Sequence, residues 1–312
     1  MKKLLVTGAS GFLGWNICQT TKGRWEISGT VFSHHVEIAG VNIVKADLTD
    51  FKALKHLFQK IRPDAVIHTA AISDPNFCQI HRTESQKINV DASVNIAALC
   101  ADYRIPCVFT STDLVFNGLN APYREGDPVC PVNVYGEQKL LAEEGMIRCN
   151  PAVIVCRMAL MFGIPGPAAK SFIQPMIRAM GEGKELRLFV DEFRTPVGVK
   201  AAVSGLFLAL EKARRLLHLG GIERISRYNF GKLLMETLDI HDARLVPCSQ
   251  KDVVMAAPRP PDVSLDSTKA RALGFKPLPL TEEFRELCGF IDLPTRPDRN
   301  QNDHPSSPFL AG

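Results

Sequence analysis

The run "LLVTGASGFLGWNI" sets Gly8, Gly11 and Gly14 directly behind a short apolar strand and at the opening of a helical pattern. A strand that ends on glycine and restarts as a helix must turn tightly. Positions without side chains also let a pyrophosphate approach backbone N–H groups at the positive end of the helix. A glycine triplet alone fits plain packing of helix on strand equally well. Its place in the first strand of a βαβ series favours nucleotide binding.

The first half continues that series. Short β-branched runs at Leu4–Thr7, Ile27–Val31, Asn42–Lys45, Ala65–His68, Val108–Ser111 and Val153–Arg157 alternate with longer helical patterns. The latter include "LTDFKALKHLFQKI", with Thr49 or Asp50 as N-cap, and "TESQKINVDASVNIAALCADY". Such alternation predicts a doubly wound α/β sheet of Rossmann type, parallel and covered by helices on both faces. Composition shifts after Phe162: "GIPGPAAK" reads as loop, "SRYNFGKLLMETLDI" as a helix capped by Ser226, and "APRPPDVSLD" as an extended stretch ordered by prolines. The expected layout is a nucleotide-binding domain over 1–162, with segments near 186–217 returning to it, and a smaller C-terminal α/β substrate region over 163–293. The polar Pro/Asn/Ser-rich stretch 294–312 is expected to be disordered. "KARRLLH", Lys212 to His218, reads as helix.

At 312 residues and 46% apolar content, the chain can bury a large core. Lys plus Arg exceeds Asp plus Glu by only four, and the basic residues are scattered, which argues against nucleic acid as a partner. Nine cysteines without a Cys-x-x-Cys pair read as reduced core thiols, with no metal site. The start, "MKKLLVTGASGFLG", breaks into glycines too early for a signal peptide, and no run approaches the length of a membrane span. A soluble cytoplasmic protein is expected, with no membrane partner.

The stretch "STDLVFNGLNAPYREGDPVCPVNVYGEQKL" carries the chemistry. Residues four apart share a helix face, so Tyr135 and Lys139 can enter one cleft. A phenol is a poor acid–base group at neutral pH, but a nearby ammonium favours its phenolate and brings the proton within use. An isolated Tyr-x-x-x-Lys is common on helix surfaces. Here it follows a glycine cradle and a strand ending in Ser111, Thr112 and Asp113, and this context favours catalysis.

Taken together, "TGASGFLG", "KADLTD", "VIHTAA", "INV", "FTSTDLVF" and "YGEQK" resemble the extended short-chain dehydrogenase/reductase family, to about Pro277. The resemblance implies cofactor contacts at Gly8, Ser10, Gly11, Phe12, Leu13 and Gly14, at Asp47 and Leu48 beside adenine, at Ala70 and Ala71, and at Asn89. It also implies that Thr112 holds the substrate oxygen and that Tyr135 transfers the proton. Lys139 would serve both Tyr135 and the nicotinamide ribose. An acid at the end of the second strand would select NAD(H). That region is "TVFSHH", where Ser33 and His34 can donate to a 2′-phosphate, which favours NADP(H); Glu37 nearby keeps NAD(H) open.

"STDLVFNG", "PYREGDP", "PVNVYGEQKL" and "SRYNFGKLL" are similar to the dTDP-4-dehydrorhamnose reductase branch, which implies NADPH-dependent reduction of a nucleotide-linked 4-keto sugar. Substrate contacts would then fall at Asp113, Asn133, Arg194 and Arg259, the last on the diphosphate, where a guanidinium fork suits phosphate oxygens. A salt bridge to Asp191 or Glu192 is the alternative for Arg194, and Arg157 reads as structural. Leu114 and Leu160 depart from the branch pattern and leave the sugar open. Leu114 also replaces the acid that sugar-nucleotide dehydratases need. An NAD-dependent epimerase stays as an alternative, as does a non-catalytic NADP-binding regulatory subunit like the methionine adenosyltransferase beta subunit. A homodimer stays open as a further assembly.

Overall fold

The computed structural model describes residues 1–287 apart from Lys22 and Asp242. The stretch 294–312, expected to be disordered, lies outside the described residues, as does the end of the expected substrate region.

Six expected strands form: β1 (Lys3–Thr7), β2 (Glu26–Val31), β3 (Val41–Lys45), β4 (Ala65–His68), β5 (Cys107–Thr112) and β6 (Ile154–Met158). A seventh, Leu216–Leu219, completes a sheet ordered Leu216–Leu219, β6, β5, β4, β1, β2, β3, with every pairing parallel. The seventh strand corrects the helical reading of "KARRLLH". The helix Val199–Lys212 ends at Lys212, and the next residues turn so that Leu217 and Leu219 insert into the core. Arg215, at φ 66°, makes that turn.

Alternate residues along each strand feed opposite faces, as a sheet covered on both sides requires. Leu4 and Val6 join one apolar cluster with Ile67, Val108 and Cys156; Leu5 joins the other with Val66, Phe109 and Val155. The helix Phe51–Ile61 covers the second face through Leu54, Leu57, Phe58 and Ile61; its cap is Asp50, which accepts from Ala53 N at 3.0 Å.

Strand order reverses between β1 and β4, so the loops leaving these two strands diverge and open a crevice at their C-terminal ends. The neutral ring of His68 locks this point. It lies 2.6 Å from Thr7 Oγ1 and 2.9 Å from Ser93 Oγ, and burial followed by Lys139 pushes its pKa down to about 3.

After Phe162 a third apolar cluster forms, with the helix Ile173–Gly181, the parallel pair Glu185–Phe189 and Arg244–Cys248, and the helices Arg227–Thr237 and Leu280–Leu287 around it. Phe162, Phe230 and Phe284 meet at its centre with ring centroids 5.0–5.5 Å apart. Ser226 caps the second of these helices by accepting from Asn229 N at 3.2 Å. No described helix is long and apolar enough to cross a membrane. Among the described residues, none of the eight cysteines forms a disulfide, and six of them are buried.

Two glycines of the first turn are dictated by packing. Gly8 has φ +73°, and a Cβ there would lie 2.8 Å from Ala70 Cα; a Cβ on Gly14 would lie 2.2 Å from the Gly8 carbonyl oxygen. Gly14→Ala is therefore expected to lose about 1–3 kcal/mol in urea unfolding, since helix and turn cannot separate without moving β4.

Candidate active site

The crevice contains a cavity of about 300 Å³ lined from three sides. Gly11, Phe12, Leu13 and Gly14 supply one wall, and Ala71, Thr112, Asp113, Tyr135 and Lys139 the floor. Arg194, Arg227 and Arg259 close the far end.

Each wall has a local cause. The helix Phe12–Thr20 begins without a side-chain cap and without a carboxylate in its first turn. Asp50, Asp74, Asn133 and Ser226 cap the helices Phe51–Ile61, Pro75–Ile80, Val134–Cys149 and Arg227–Thr237, while Val199–Lys212 also starts without a side-chain cap. Bare N–H groups at a positive helix end, facing a cavity, fit a bound pyrophosphate. The floor comes from the helix Val134–Cys149, on which Tyr135 and Lys139 lie one turn apart and both buried, and from the end of β5. Asn133 caps this helix, accepting from Gly136 N at 2.9 Å, while its amide donates to Pro258 O at 3.0 Å. Asn76 accepts from Ala257 N at 3.0 Å. The Arg259 segment is thus pinned at two points.

A continuous polar line runs along the floor. Tyr135 and Thr112 both line the cavity, and the Thr112 hydroxyl lies 3.2 Å from Asp113 Oδ1. Arg194 Nη1 lies 2.8 and 3.0 Å from the two Asp113 oxygens, and Glu192 sits 3.4 Å from both Arg194 Nε and Arg227 Nε. Arg194 thus pairs with Glu192 and Asp113, whereas Asp191 accepts from Ser249 and Gln250. Three guanidiniums, Arg194, Arg227 and Arg259, thus gather at this end with Asp113 and Glu192, and Asp74 also acts on Arg259.

Burial dominates the proton affinities. It raises the Tyr135 phenol well above its ordinary value, with Cys78 and Asp113 adding to the effect and Thr112 and Arg194 opposing it. Burial also raises Asp113, which Arg194 and Thr112 only partly offset. At Glu192, burial is outweighed by Arg227, Arg194 and Arg259, and its carboxyl is held below the ordinary range. Lys139 is lowered by burial to about 7, with Glu143 the main opposing influence. The ammonium expected from the four-residue spacing is therefore only partly formed at neutral pH in the cofactor-free protein.

Other expected residues lie apart from the cavity lining. Ser33 and His34 are exposed after β2 and 3.0 Å from each other. Asp47 accepts from both Thr49 N and Thr49 Oγ1, and Leu48 is buried in the second core cluster. Asn89 is fully engaged: it accepts from Ile72 N at 2.8 Å and donates to Ile72 O and Gln138 Oε1, so it shapes the loop after β4. Gly8, Ser10 and Ala70 stand behind the lining, in the turn and at the strand end that support it. Arg157 pairs with Glu143 at 2.8 Å inside the protein.

Sequence reading missed Arg227. Its signal was a cation in the first turn of a helix, where the macrodipole opposes it. Glu192 and the Phe172 ring, 4.6 Å away, hold it in place.

The seven-stranded parallel sheet and the fold around it are those of the extended short-chain dehydrogenase/reductase class. A family model described as the RmlD substrate binding domain matches residues 1–288, and the chain belongs to that family. Methionine adenosyltransferase 2 subunit beta of Bos taurus is 27% identical over 281 residues, covering 88% of this chain and 83% of that one. "Probable low-salt glycan biosynthesis reductase Agl14" of Haloferax volcanii is 29% identical over 84% of this chain and 88% of its own. Among solved structures, a dTDP-4-dehydrorhamnose reductase from Clostridium acetobutylicum superposes with a TM-score of 0.80 at 25% identity, covering 91% of this chain and 97% of that one.

The lowered Lys139 pKa has a consequence for stability. Between about 7 and the ordinary 10.5, the unfolded chain holds a proton that the native state lacks, so stability rises with pH across that window. The cost of burying the charge is fully present below pH 7. Lys139→Met is therefore expected to be more stable than the native protein at pH 6, by on the order of 1–3 kcal/mol in urea unfolding, with the gap narrowing towards pH 9.

Proposed function

We propose that the protein is an NADPH-dependent reductase of a nucleotide-linked 4-keto sugar. The observation that carries this reading is the shared cavity. A proton-donor set, Thr112 and Tyr135, stands between an uncapped helix start and a cluster of three guanidiniums. The helix start suits a cofactor pyrophosphate and the guanidiniums a substrate diphosphate.

Bound NADPH would supply the hydride. Thr112 holds the carbonyl oxygen, and Tyr135 donates its proton to that oxygen as it becomes an alkoxide. A phenol whose burial raises its proton affinity arrives loaded, which suits ketone reduction. Lys139 lies under the same site, where it would meet the nicotinamide ribose. Arg259 and Arg227 would take the diphosphate, with Arg194 holding Asp113 in place. Asp113 is bound to that cation and is followed by Leu114, so no acid pair for dehydration stands here. Ser33 and His34 would receive the 2′-phosphate, and NADPH should bind more tightly than NADH in a fluorescence titration.

The deciding experiment follows NADPH oxidation against a panel of nucleotide-linked 4-keto sugars. Stoichiometric consumption is expected with one of them, and Tyr135→Phe should fold, bind NADPH and lose about 10²–10⁴-fold in turnover. An epimerase would show the Tyr135 defect without net consumption. The 27% identity to the methionine adenosyltransferase beta subunit favours a second reading, a regulatory NADP-binding protein. Cofactor binding without turnover on any sugar, together with co-purification of a synthetase, would select it.

Arg259→Ala and Arg227→Met should each weaken the substrate by about 1.5–3 kcal/mol while leaving NADPH affinity nearly unchanged. An unmoved substrate affinity in both would remove the guanidinium end of the cavity from the reading.

A further inference from the structure

On the helix Val134–Cys149, Glu143 follows Tyr135 and Lys139 at the next four-residue step, and all three side chains are buried. Glu143 lies one turn deeper than the cavity lining. Its Oε1 accepts from the Ser111 hydroxyl, and Arg157 Nη2 reaches its Oε2 at 2.8 Å, with Arg157 Nε at 3.1 and 3.3 Å from the two oxygens. Ser111 precedes Thr112 at the end of β5, and Arg157 precedes Met158 at the end of β6; Thr112 and Met158 both line the cavity. One carboxylate therefore ties the helix to two strand ends directly behind the floor.

We propose that Glu143, clamped by Ser111 and Arg157, is a positioning residue that supplies the counter-charge for the Lys139 ammonium. This rests on the reading of Lys139 as part of the cofactor and proton-transfer site. The Lys139 amine sits over the Phe109 ring, 4.1 Å from its centroid, and the side chain is buried. The groups facing it from neighbouring elements are Cys78 from the helix Pro75–Ile80, neutral His68 from β4, and Arg157 beyond Glu143 from β6; Tyr135 shares its helix. Glu143 is the main influence raising the Lys139 proton affinity, ahead of Cys78. The clamp keeps the carboxylate from turning away towards solvent, and the Ser111 bond fixes the strand end that presents Thr112.

The test reads Lys139 directly, through the Cε chemical shift in protein labelled with ¹³C-lysine, titrated from about pH 5 to 10, with the signal assigned by its loss in Lys139→Met. Glu143→Gln keeps the volume and can still accept from Ser111. Its Lys139 midpoint should fall by at least about one pH unit, a tenfold change in the protonation equilibrium. Glu143→Asp, which keeps the charge, should return the midpoint most of the way. Because Glu143→Gln leaves the Arg157 charge buried without its partner and can impair folding, the double variant Glu143→Leu with Arg157→Met removes both charges and should move the midpoint in the same direction. An unmoved midpoint in either folded charge-removing variant overturns the proposal and leaves Glu143 a strut between strands. NADPH titration of Lys139→Met answers the separate question. Unchanged affinity there would sink the cofactor role of Lys139 without touching the Glu143 result.

Discussion

Both faces of the seven-stranded parallel sheet are covered by apolar side chains, so only the ends of strands can present polar chemistry. Leu4, Val6 and Ile67 fill one face while Leu5, Val66 and Phe109 fill the other, and the edge strand β3 is the least covered, with Asn42 and Lys45 exposed. Thr7, His68, Thr112 and Met158 are the last residues of their strands, and all four stand in or directly beneath the crevice. The site follows from where the helices cannot reach.

That arrangement places charge in a dry setting, and the electrostatics of the floor follow. Tyr135 and Asp113 keep their protons more tightly than they would in water, and Lys139 more loosely. Glu192, with three guanidiniums around it, and Arg194, beside Asp113 and Glu192, are pushed the other way, towards their charged forms. Thr112, Asp113, Arg194, Glu192 and Arg227 form one hydrogen-bonded and ionic line across the cavity, beginning beside Tyr135 in the lining, so the two ends of the cavity share their charges.

Much of this was legible in the residues. The glycine turn, six strands and the Tyr135–Lys139 face depend on local spacing, which sequence records directly. The seventh strand was hidden because "KARRLLH" follows an unbroken helical pattern. Only the left-handed Arg215, at φ 66°, turns Leu216–Leu219 into the sheet. Arg227 escaped because its meaning lies in a contact with Glu192, about 35 residues away in sequence and set by tertiary packing, whereas Glu192 was already visible as a partner for Arg194. Asn89 shows the reverse: its motif was visible, yet its side chain is spent on Ile72 and Gln138, inside the wall. The lowered Lys139 affinity was also out of reach, since four-residue spacing fixes proximity and says nothing of burial.

The segment that carries Arg259 is held before any ligand arrives. Asn133 grips Pro258 O, Asn76 grips Ala257 N, and Pro260 and Pro261 restrict the backbone immediately beyond. Most freedom that this stretch could lose has already been lost in folding. Were an anion to bind at Arg259, as proposed above, little ordering entropy would remain to be subtracted from its attraction. The same amide of Asn133 belongs to the cap of the Tyr135 helix, so stiffness at one end of the cavity is shared with the other.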